Sequence, residues 1–150
     1  MAFSGRTETF LNQEIVNNSF FPNLSASDFQ ALHRVPSHYA DAAILHHLTL
    51  SMGDINEELK EAAKAWQALG FETLEAVDAD DSGTRATFYK GAIYYQAKAK
   101  LLRDMQTFSR RDLAENQAAE SEETEQSLLS ESQRLLRRVL NLPWVSVDVI

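Results

Sequence analysis

A run of apolar residues at helical spacing, in the first half of the chain, constrains its fold most strongly. The members recur every three or four residues: Ile44, Leu48, Met52, Ile55, Leu59, Ala62, Trp66 and Leu69. That period marks one face of an α-helix, which other elements must cover. Gly53 interrupts the run and Asp54 can cap a new start. We therefore predict either one long bent helix or two nearly collinear helices over 38–52 and 54–69, ended by Gly70.

The remaining helices are predicted from similar signals. N-cap residues from Ser25 predict a short helix that ends near Arg34. An aromatic and alanine-rich stripe predicts a helix over 84–108, about 37 Å long at roughly 1.5 Å per residue. The segment 122–140 predicts the last helix, because acidic residues fill its first turns and arginines its last, the order that the helix dipole favours.

Together these segments predict an all-α fold, an antiparallel bundle of about four helices with a long connection over 70–83. A chain of 150 residues fits one such domain and can bury a core without disulfides or metals. The predicted core combines apolar residues from several helices: Ile44, Leu48, Ile55, Leu59, Trp66, Tyr95, Leu102, Leu135 and Val139. The aromatic cluster Phe88, Tyr89, Tyr94 and Tyr95 follows the helical period, which favours core packing.

Composition excludes several classes of protein. The chain has no cysteine, which excludes disulfide scaffolds, zinc ribbons and thiol nucleophiles. Its formal net charge of −8 disfavours general binding to nucleic-acid phosphates. No apolar run approaches the roughly 18 residues that a membrane helix needs, and the N-terminus lacks the apolar segment of a secretory signal. We therefore expect a cytosolic origin and no membrane partner.

The sequence carries no catalytic or metal-binding motif that meets its own requirements. The acidic segment 78–83 imitates the opening of an EF-hand calcium loop, but Tyr89 stands where such a loop needs a bidentate glutamate. His46 and His47 are neighbours on a helix and point about 100° apart, so they cannot chelate one metal. Phosphate-binding loops and nucleophile elbows do not occur. We predict no enzyme, no cofactor and no metal site.

The two ends of the chain differ from its helical body. Residues 1–17 are polar and show no clean period, and we interpret them as a flexible N-terminal arm, mobile unless a partner holds it. At the other end, Pro143 stops the last helix, and apolar and polar residues alternate after it. This alternation is the only strand signal, and an unpartnered strand suggests pairing with another chain. Its candidate binding residues are Pro143, Trp144, Val145, Val147, Val149 and Ile150.

Four sequence features follow one another in a recognisable order. They are the Asn-x-x-Phe-Phe-Pro motif of Asn17 to Pro22; the segment with Asn56, Glu58, Leu59, Trp66, Gln67, Gly70 and Leu74; the helix that ends Ala97-x-Ala99-x-Leu101-Leu102; and the closing Val145 to Ile150. In this order they resemble the head completion protein of P2-type tailed bacteriophages. The resemblance covers roughly Asn18 to Ile150.

The resemblance implies a protein of the phage neck, similar to helical head–tail adaptors that form a ring, of twelve copies, under the portal protein after DNA packaging. Such a ring extends the DNA channel, retains the genome and presents a docking surface for the next neck or tail-completion protein. It implies a virion protein assembled in the cytoplasm of the bacterial host. In such adaptors the C-terminal tail reaches into the portal, which makes 18–142 the helical adaptor domain and 143–150 the portal-binding tail. The family has no catalytic residues.

An acidic protein also suits a channel through which DNA slides, because acidic walls repel phosphate. We expect an acidic group before the last helix to lie at the inner side or lip of the ring: Glu120, Glu122, Glu123 and Glu125. A solvated outer face is equally typical of such a charge run. From the residues alone, a small acidic helical chaperone or regulatory protein-binding module is the alternative function, and a small enzyme has no constellation to support it.

Overall fold

The structure is a computed structural model, and it describes residues 9–78, 83–108 and 124–141. These ranges contain a two-stranded sheet and six helices, in the chain order β1 (Glu14–Ile15), β2 (Leu24–Ser25), α1 (Ala26–His33), α2 (Asp41–Glu58), α3 (Lys60–Ala68), α4 (Leu74–Val77), α5 (Thr84–Phe108) and α6 (Glu125–Val139). The described part is therefore mostly helical, as predicted. It is not purely α-helical, and a bundle of about four helices describes it too simply.

The small sheet departs from the all-α prediction, because its two strands form where the sequence showed no strand signal. β1 and β2 pair antiparallel, with Glu14 opposite Ser25 and Ile15 opposite Leu24. Two-residue strands are too short to show a period of two, which is why the pattern missed them. The short helix that follows is confirmed, because the Ser25 side chain accepts a hydrogen bond from the Asp28 amide and caps α1.

The long apolar run forms two helices, but they meet at Leu59 rather than at Gly53. Gly53 stays inside α2, where a glycine costs only about 1 kcal/mol relative to alanine. Leu59 is fully buried, and its backbone leaves the helical region at φ −97° and ψ 5°. The break between α2 and α3 therefore falls at a buried core residue rather than at Gly53. The start also differs, since α2 begins at Asp41, after the N-cap Ala40, rather than at residue 38.

The end of α3 is confirmed at Gly70, which has a φ of +101°. The Gly70 amide donates to the carbonyl of Gln67, and the Phe71 amide donates to that of Trp66. This is the Schellman arrangement, in which a left-handed glycine turns the chain out of the helix. It places Phe71 beside the last turn of α3 and directs the chain toward α4.

The three long helices form successive layers with α5 in the middle. Helices α2 and α5 are antiparallel, because residues later in α2 contact residues earlier in α5. His47 Nε2 lies 2.6 Å from Asp104 Oδ2, and Asp54 Oδ2 accepts a hydrogen bond from Lys100 Nζ at 3.0 Å. The α5–α6 pair is also antiparallel, because Arg103 near the end of α5 meets Glu125 at the start of α6. An antiparallel arrangement of the long helices was predicted.

Small residues allow α6 to approach α5 closely. A Cβ atom built on Gly91 would lie 2.7 Å from Leu135 Cδ1, and the Ser132 hydroxyl donates to the carbonyl of Ala92 at 2.7 Å. Nothing larger than glycine fits opposite Leu135 without moving that side chain. The two helices therefore pack directly on each other as antiparallel neighbours, and the chain that joins them lies outside the described residues.

The predicted core is partly correct. Five of the predicted residues are buried: Ile44, Leu48, Ile55, Leu59 and Val139. The other four are only half-buried: Trp66, Tyr95, Leu102 and Leu135. On α5 the buried large side chains are instead Tyr89, Ile93, Tyr94 and Leu101, since this helix packs against α1, α2 and α6 at once. Helical periodicity identified α5 as a core helix but did not show that it is covered on more than one side.

Residues 9–17 of the expected N-terminal arm contact the rest of the chain. The Leu11 amide donates to Gln30 Oε1 at 2.8 Å, and the Ala26 amide donates to the carbonyl of Gln13 at 2.9 Å. Gln30 is itself buried. This end of the arm is therefore held by its own chain, and the division of the sequence at residue 17 stays a prediction.

Two buried serines give a matched test of this packing. Within the described residues, the Ser51 hydroxyl is fully buried and has no hydrogen-bond partner, whereas the buried Ser132 hydroxyl donates to Ala92. Ser51→Ala should raise the free energy of unfolding by about 1 kcal/mol, since it removes an unpaired polar group. Ser132→Ala should lower the free energy of unfolding by about 1 kcal/mol, since it removes the hydrogen bond to the Ala92 carbonyl. Urea unfolding followed by circular dichroism measures both, and equal effects of the same sign would contradict the structure.

Candidate functional site

Most of the site residues predicted from the sequence lie outside the described residues. These are the tail residues Pro143, Trp144, Val145, Val147, Val149 and Ile150 and the acidic residues Glu120, Glu122 and Glu123. Glu125 is described: it lies in the first turn of α6, where its carboxylate accepts hydrogen bonds from Arg103 Nε at 3.0 Å and Nη2 at 2.6 Å. The structure therefore bears on these predictions through the place from which the tail starts.

The exit of the tail is defined by the end of α6. Leu140 caps the helix, and Asn141 follows with a φ of +60°, a left-handed conformation that asparagine tolerates better than most residues. The Asn141 amide donates to the carbonyl of Arg138 at 3.1 Å. The chain thus leaves the helical conformation at Asn141, two residues before the start of the predicted tail.

Arg85 holds this exit against the body of the protein. Its Nη1 donates to the carbonyl of Val139, the last residue of α6. Its Nε donates to Asp78 Oδ1 at 2.9 Å, and the other oxygen of Asp78 accepts the Arg85 amide at 3.0 Å. The guanidinium also lies 5.5 Å from the centre of the Trp66 ring, within cation–π range. One side chain thereby joins the end of α6 to α3, to the start of α5 and to Asp78, which follows α4.

The acidic turn before α5 thus has a structural role at its first residue. Asp78 is the residue that opened the calcium-loop imitation, and here both of its carboxylate oxygens are engaged by Arg85. Both side chains are largely buried. A carboxylate in this position caps the N-terminus of α5, where the helix dipole favours a negative charge.

The Asn-Asn-x-Phe-Phe-Pro segment, residues 17–22, forms a turn that packs against α3, α4 and α5. Asn18 Oδ1 accepts hydrogen bonds from the amides of Phe20 and Phe21 at 3.0 and 2.8 Å, which folds the segment back on itself. The Phe20 ring stacks on Trp66 at 6.2 Å, and the Phe21 ring stacks on Tyr89 at 4.7 Å. The carbonyl of Phe20 also accepts the Leu74 amide at 2.9 Å. The motif therefore binds α3, α4 and α5 together.

A closed ring of three hydrogen bonds fixes this turn from its other side. Asn17 Nδ2 donates to the Tyr89 hydroxyl at 2.8 Å, the hydroxyl donates to Asn56 Oδ1, and Asn56 Nδ2 donates to Asn17 Oδ1 at 3.0 Å. Burial raises the pKa of Tyr89 well above its usual value of 10, so the hydroxyl keeps the proton that it donates. Asn17 and Asn56 both belong to the features that carry the resemblance, and the ring gives them a structural role.

An open groove lies beside this turn, between it and the loop from α3 to α4. We call it the α3–α4 groove; its lining residues are Ser19, Gln67, Gly70, Phe71, Glu72 and Thr73. Its volume is about 550 Å³. Leu69, next to the lining residue Gly70, is 75% exposed, the highest value for any large apolar side chain in the described part of the chain. The groove itself is lined mostly by polar residues, with Phe71 as the apolar side chain among them.

The sequence did not single out the residues that organise this site. Arg85 stood among polar residues at a helix start, and Tyr89 was expected to contribute only packing. The available signal for Arg85 was its position seven residues after Asp78, across a turn, where an acid and a base can meet. The signal for Tyr89 was its buried hydroxyl, which needs a partner on another element.

Two further absences concern the described ranges alone. They contain no group of three or more histidine, aspartate or glutamate residues placed to hold a metal ion. None of their helices is both long and apolar enough to cross a membrane. The site consists of buried aromatic rings and a largely buried ion pair, and its open surface is the α3–α4 groove.

Comparisons with known proteins point in one direction. The family model described as "Phage head completion protein (GPL)" matches residues 15–150 of the chain. A curated relative, the "Probable head completion/stabilization protein" of Haemophilus phage HP1 (strain HP1c1), is 25% identical over 138 residues, which cover 90% of this chain and 91% of the relative. No solved structure matches the chain significantly.

Proposed function

Because the chain belongs to the phage head completion protein family, we propose that it completes and stabilises the filled phage head as a ring of copies, twelve in number, bound beneath the portal protein. The family is one of structural head proteins rather than of enzymes. The observation that carries the proposal is the family match over residues 15–150, which includes the whole predicted tail. The ring would extend the DNA channel and offer its lower face to the next neck or tail-completion protein.

The tail supplies the contact with the portal in this proposal. Val145, Val147 and Val149 present apolar side chains on one face of an extended segment, and its backbone can add a strand to an edge of a portal sheet. Trp144 at the base of the tail is a typical interface anchor. The exit at Asn141 supports this role, because Arg85 links the end of α6 to α5 and to Trp66 of α3. A fixed exit gives every copy the same starting point.

Many weak contacts make such a ring stable. One strand of eight residues binds weakly by itself, but linked binding events can exceed a single affinity by roughly 10²–10⁴-fold when geometry lets them engage together. A ring that presents one tail per copy meets this condition. A small acidic protein can therefore hold a filled head without a large interface per copy.

The acidic residues Glu120, Glu122, Glu123 and Glu125 are proposed to lie at the inner side or lip of the ring. Their charge would repel DNA phosphate and let the genome slide without sticking. The ion pair between Glu125 and Arg103 neutralises one of the four within the subunit. An image of the assembled ring with these residues on its outer circumference would contradict this part of the proposal.

Deletion of Trp144 to Ile150 tests the portal contact. We expect the truncated protein to keep its helical circular dichroism spectrum, because the described core is built without these residues, and to lose co-purification with isolated portal rings. A matched pair of full-length variants separates the two faces of the tail. Val145, Val147 and Val149 all changed to Thr should abolish binding, whereas Ser146→Thr with Asp148→Asn should retain it. Portal binding by a folded truncated protein would end the proposal.

A further inference from the structure

The α3–α4 groove lies close to the start of the tail. Arg85 contacts both Val139, the last residue of α6, and the ring of Trp66. The next residue, Gln67, lines the groove, and so does Phe71, whose amide donates to the Trp66 carbonyl at 3.1 Å. The tail therefore starts near the end of α3 that borders the groove.

Nine residues of the chain follow Asn141. Trp144 is the third residue after Asn141, and three extended residues span about 10 Å. The whole segment 142–150 spans about 30 Å when extended. The left-handed backbone at Asn141 ends the helical conformation of α6.

The tail also needs cover before it meets a partner. It carries one tryptophan, three valines and an isoleucine within eight residues, and an exposed apolar strand promotes aggregation. The groove offers a mixed surface: Phe71 supplies an apolar side chain among polar lining residues, and the volume of about 550 Å³ accommodates a large side chain. An indole suits such a mixed surface, because its ring is apolar and its N–H is a donor.

We propose that, in the free protein, the α3–α4 groove binds Trp144 of the same chain and holds the tail against its own subunit until a portal displaces it. The inference rests on the proposed function, since it assigns to the portal-binding tail a resting site. Because the tail and the groove belong to one chain, their effective concentration is high, in the millimolar range for a short linker. The occupant is the subunit's own tail rather than a second copy, since Arg85 links the end of α6 to Trp66, the neighbour of the lining residue Gln67.

A held tail lowers the apparent affinity for the portal. Only the fraction of molecules with a released tail can bind, so the apparent dissociation constant rises as that fraction falls. Subunits whose tail is held in the groove would also pair less readily with one another or with exposed sheet edges of other proteins. A portal ring offers many sites at once, and the linked binding of several copies can overcome the internal contact.

Fluorine NMR on the full-length protein labelled with 5-fluorotryptophan tests the groove directly. The chain has two tryptophans, Trp66 and Trp144, and Trp144→Phe assigns their resonances. We expect the Trp144 resonance to be shifted from that of a free peptide of residues 142–150. Gln67→Phe, which fills the groove, should return it to the peptide position. Gln133→Phe, the same change at an exposed position of α6, should leave it shifted.

Three results would overturn the inference. They are a Trp144 resonance at the peptide position in the unmodified protein, a shifted resonance that Gln67→Phe leaves unchanged, and a shift that disappears on dilution, which would assign the groove to the tail of a second copy. Portal binding is scored separately. If the groove is occupied and the truncated protein still binds portal, only the portal proposal fails. If the groove is empty and truncation abolishes binding, only the resting site fails. With both correct, Gln67→Phe should bind portal more tightly than the unmodified protein.

Discussion

Phe21→Ala should lower the free energy of unfolding by about 3–5 kcal/mol, the range for removing a large aromatic ring from a core. The Phe21 side chain is buried, and its ring lies 4.7 Å from that of Tyr89 with the two planes nearly parallel. Truncation removes the apolar contacts of the ring and leaves a cavity beneath the hydrogen-bonded ring of Asn17, Asn56 and Tyr89. Urea unfolding followed by circular dichroism gives the free energy for each variant.

Two further variants serve as comparisons for the stability loss of Phe21→Ala. Phe21→Leu keeps most of the apolar volume but loses the stacking with Tyr89, so it should cost only about 1–2 kcal/mol. Leu32→Ala truncates an apolar side chain that is 70% exposed on α1 and should change stability by less than about 0.5 kcal/mol. If Phe21→Ala costs no more than Leu32→Ala, the Asn-Asn-x-Phe-Phe-Pro turn is not part of the core.

The helices were predictable because each carries its own local signal. The 84–108 helix has the predicted bounds, the capped short helix after Ser25 is present, and Gly70 ends α3 as expected. These features depend on residues three or four positions apart, which a sequence displays directly. The break at Leu59 was missed because leucine is a strong helix former and carries no stop signal, whereas Gly53 does.

The site was less predictable because its contacts join distant parts of the sequence. Asn17, Asn56 and Tyr89 are 33 to 72 residues apart, yet they form one ring of hydrogen bonds. The sequence marked the first two through a family resemblance, without a physical reason. Arg85 binds a carbonyl 54 residues away, at a residue that carries no side-chain signal for the contact. Such pairings become visible only when the fold brings the helices together.

The second large effect is expected at Arg85. Arg85→Met keeps the length and apolar stem of the side chain but removes the charge and all its donors. Asp78 would then be left largely buried without its partner, the carbonyl of Val139 would lose its donor, and Trp66 would lose its cation. Breaking a buried ion pair by removing one partner typically costs about 3–5 kcal/mol. We expect a loss near the lower end of that range, about 3 kcal/mol, because the pair retains some contact with water.

Arg103→Met is the matched control for that prediction. Arg103 also pairs with a carboxylate, that of Glu125 at 2.6 Å, but its side chain is 63% exposed. Water and salt screen an exposed pair, so its loss should cost less than about 1 kcal/mol. Added salt should weaken the Arg103 pair and leave the Arg85 pair nearly unchanged.

A double-mutant cycle of Arg85→Met with Asp78→Asn should return a coupling of about 1–3 kcal/mol, since the two side chains share one buried site. A coupling near zero, or equal losses for Arg85→Met and Arg103→Met, would show that Arg85 does not fix the end of α6, and the defined exit of the tail would lose its support.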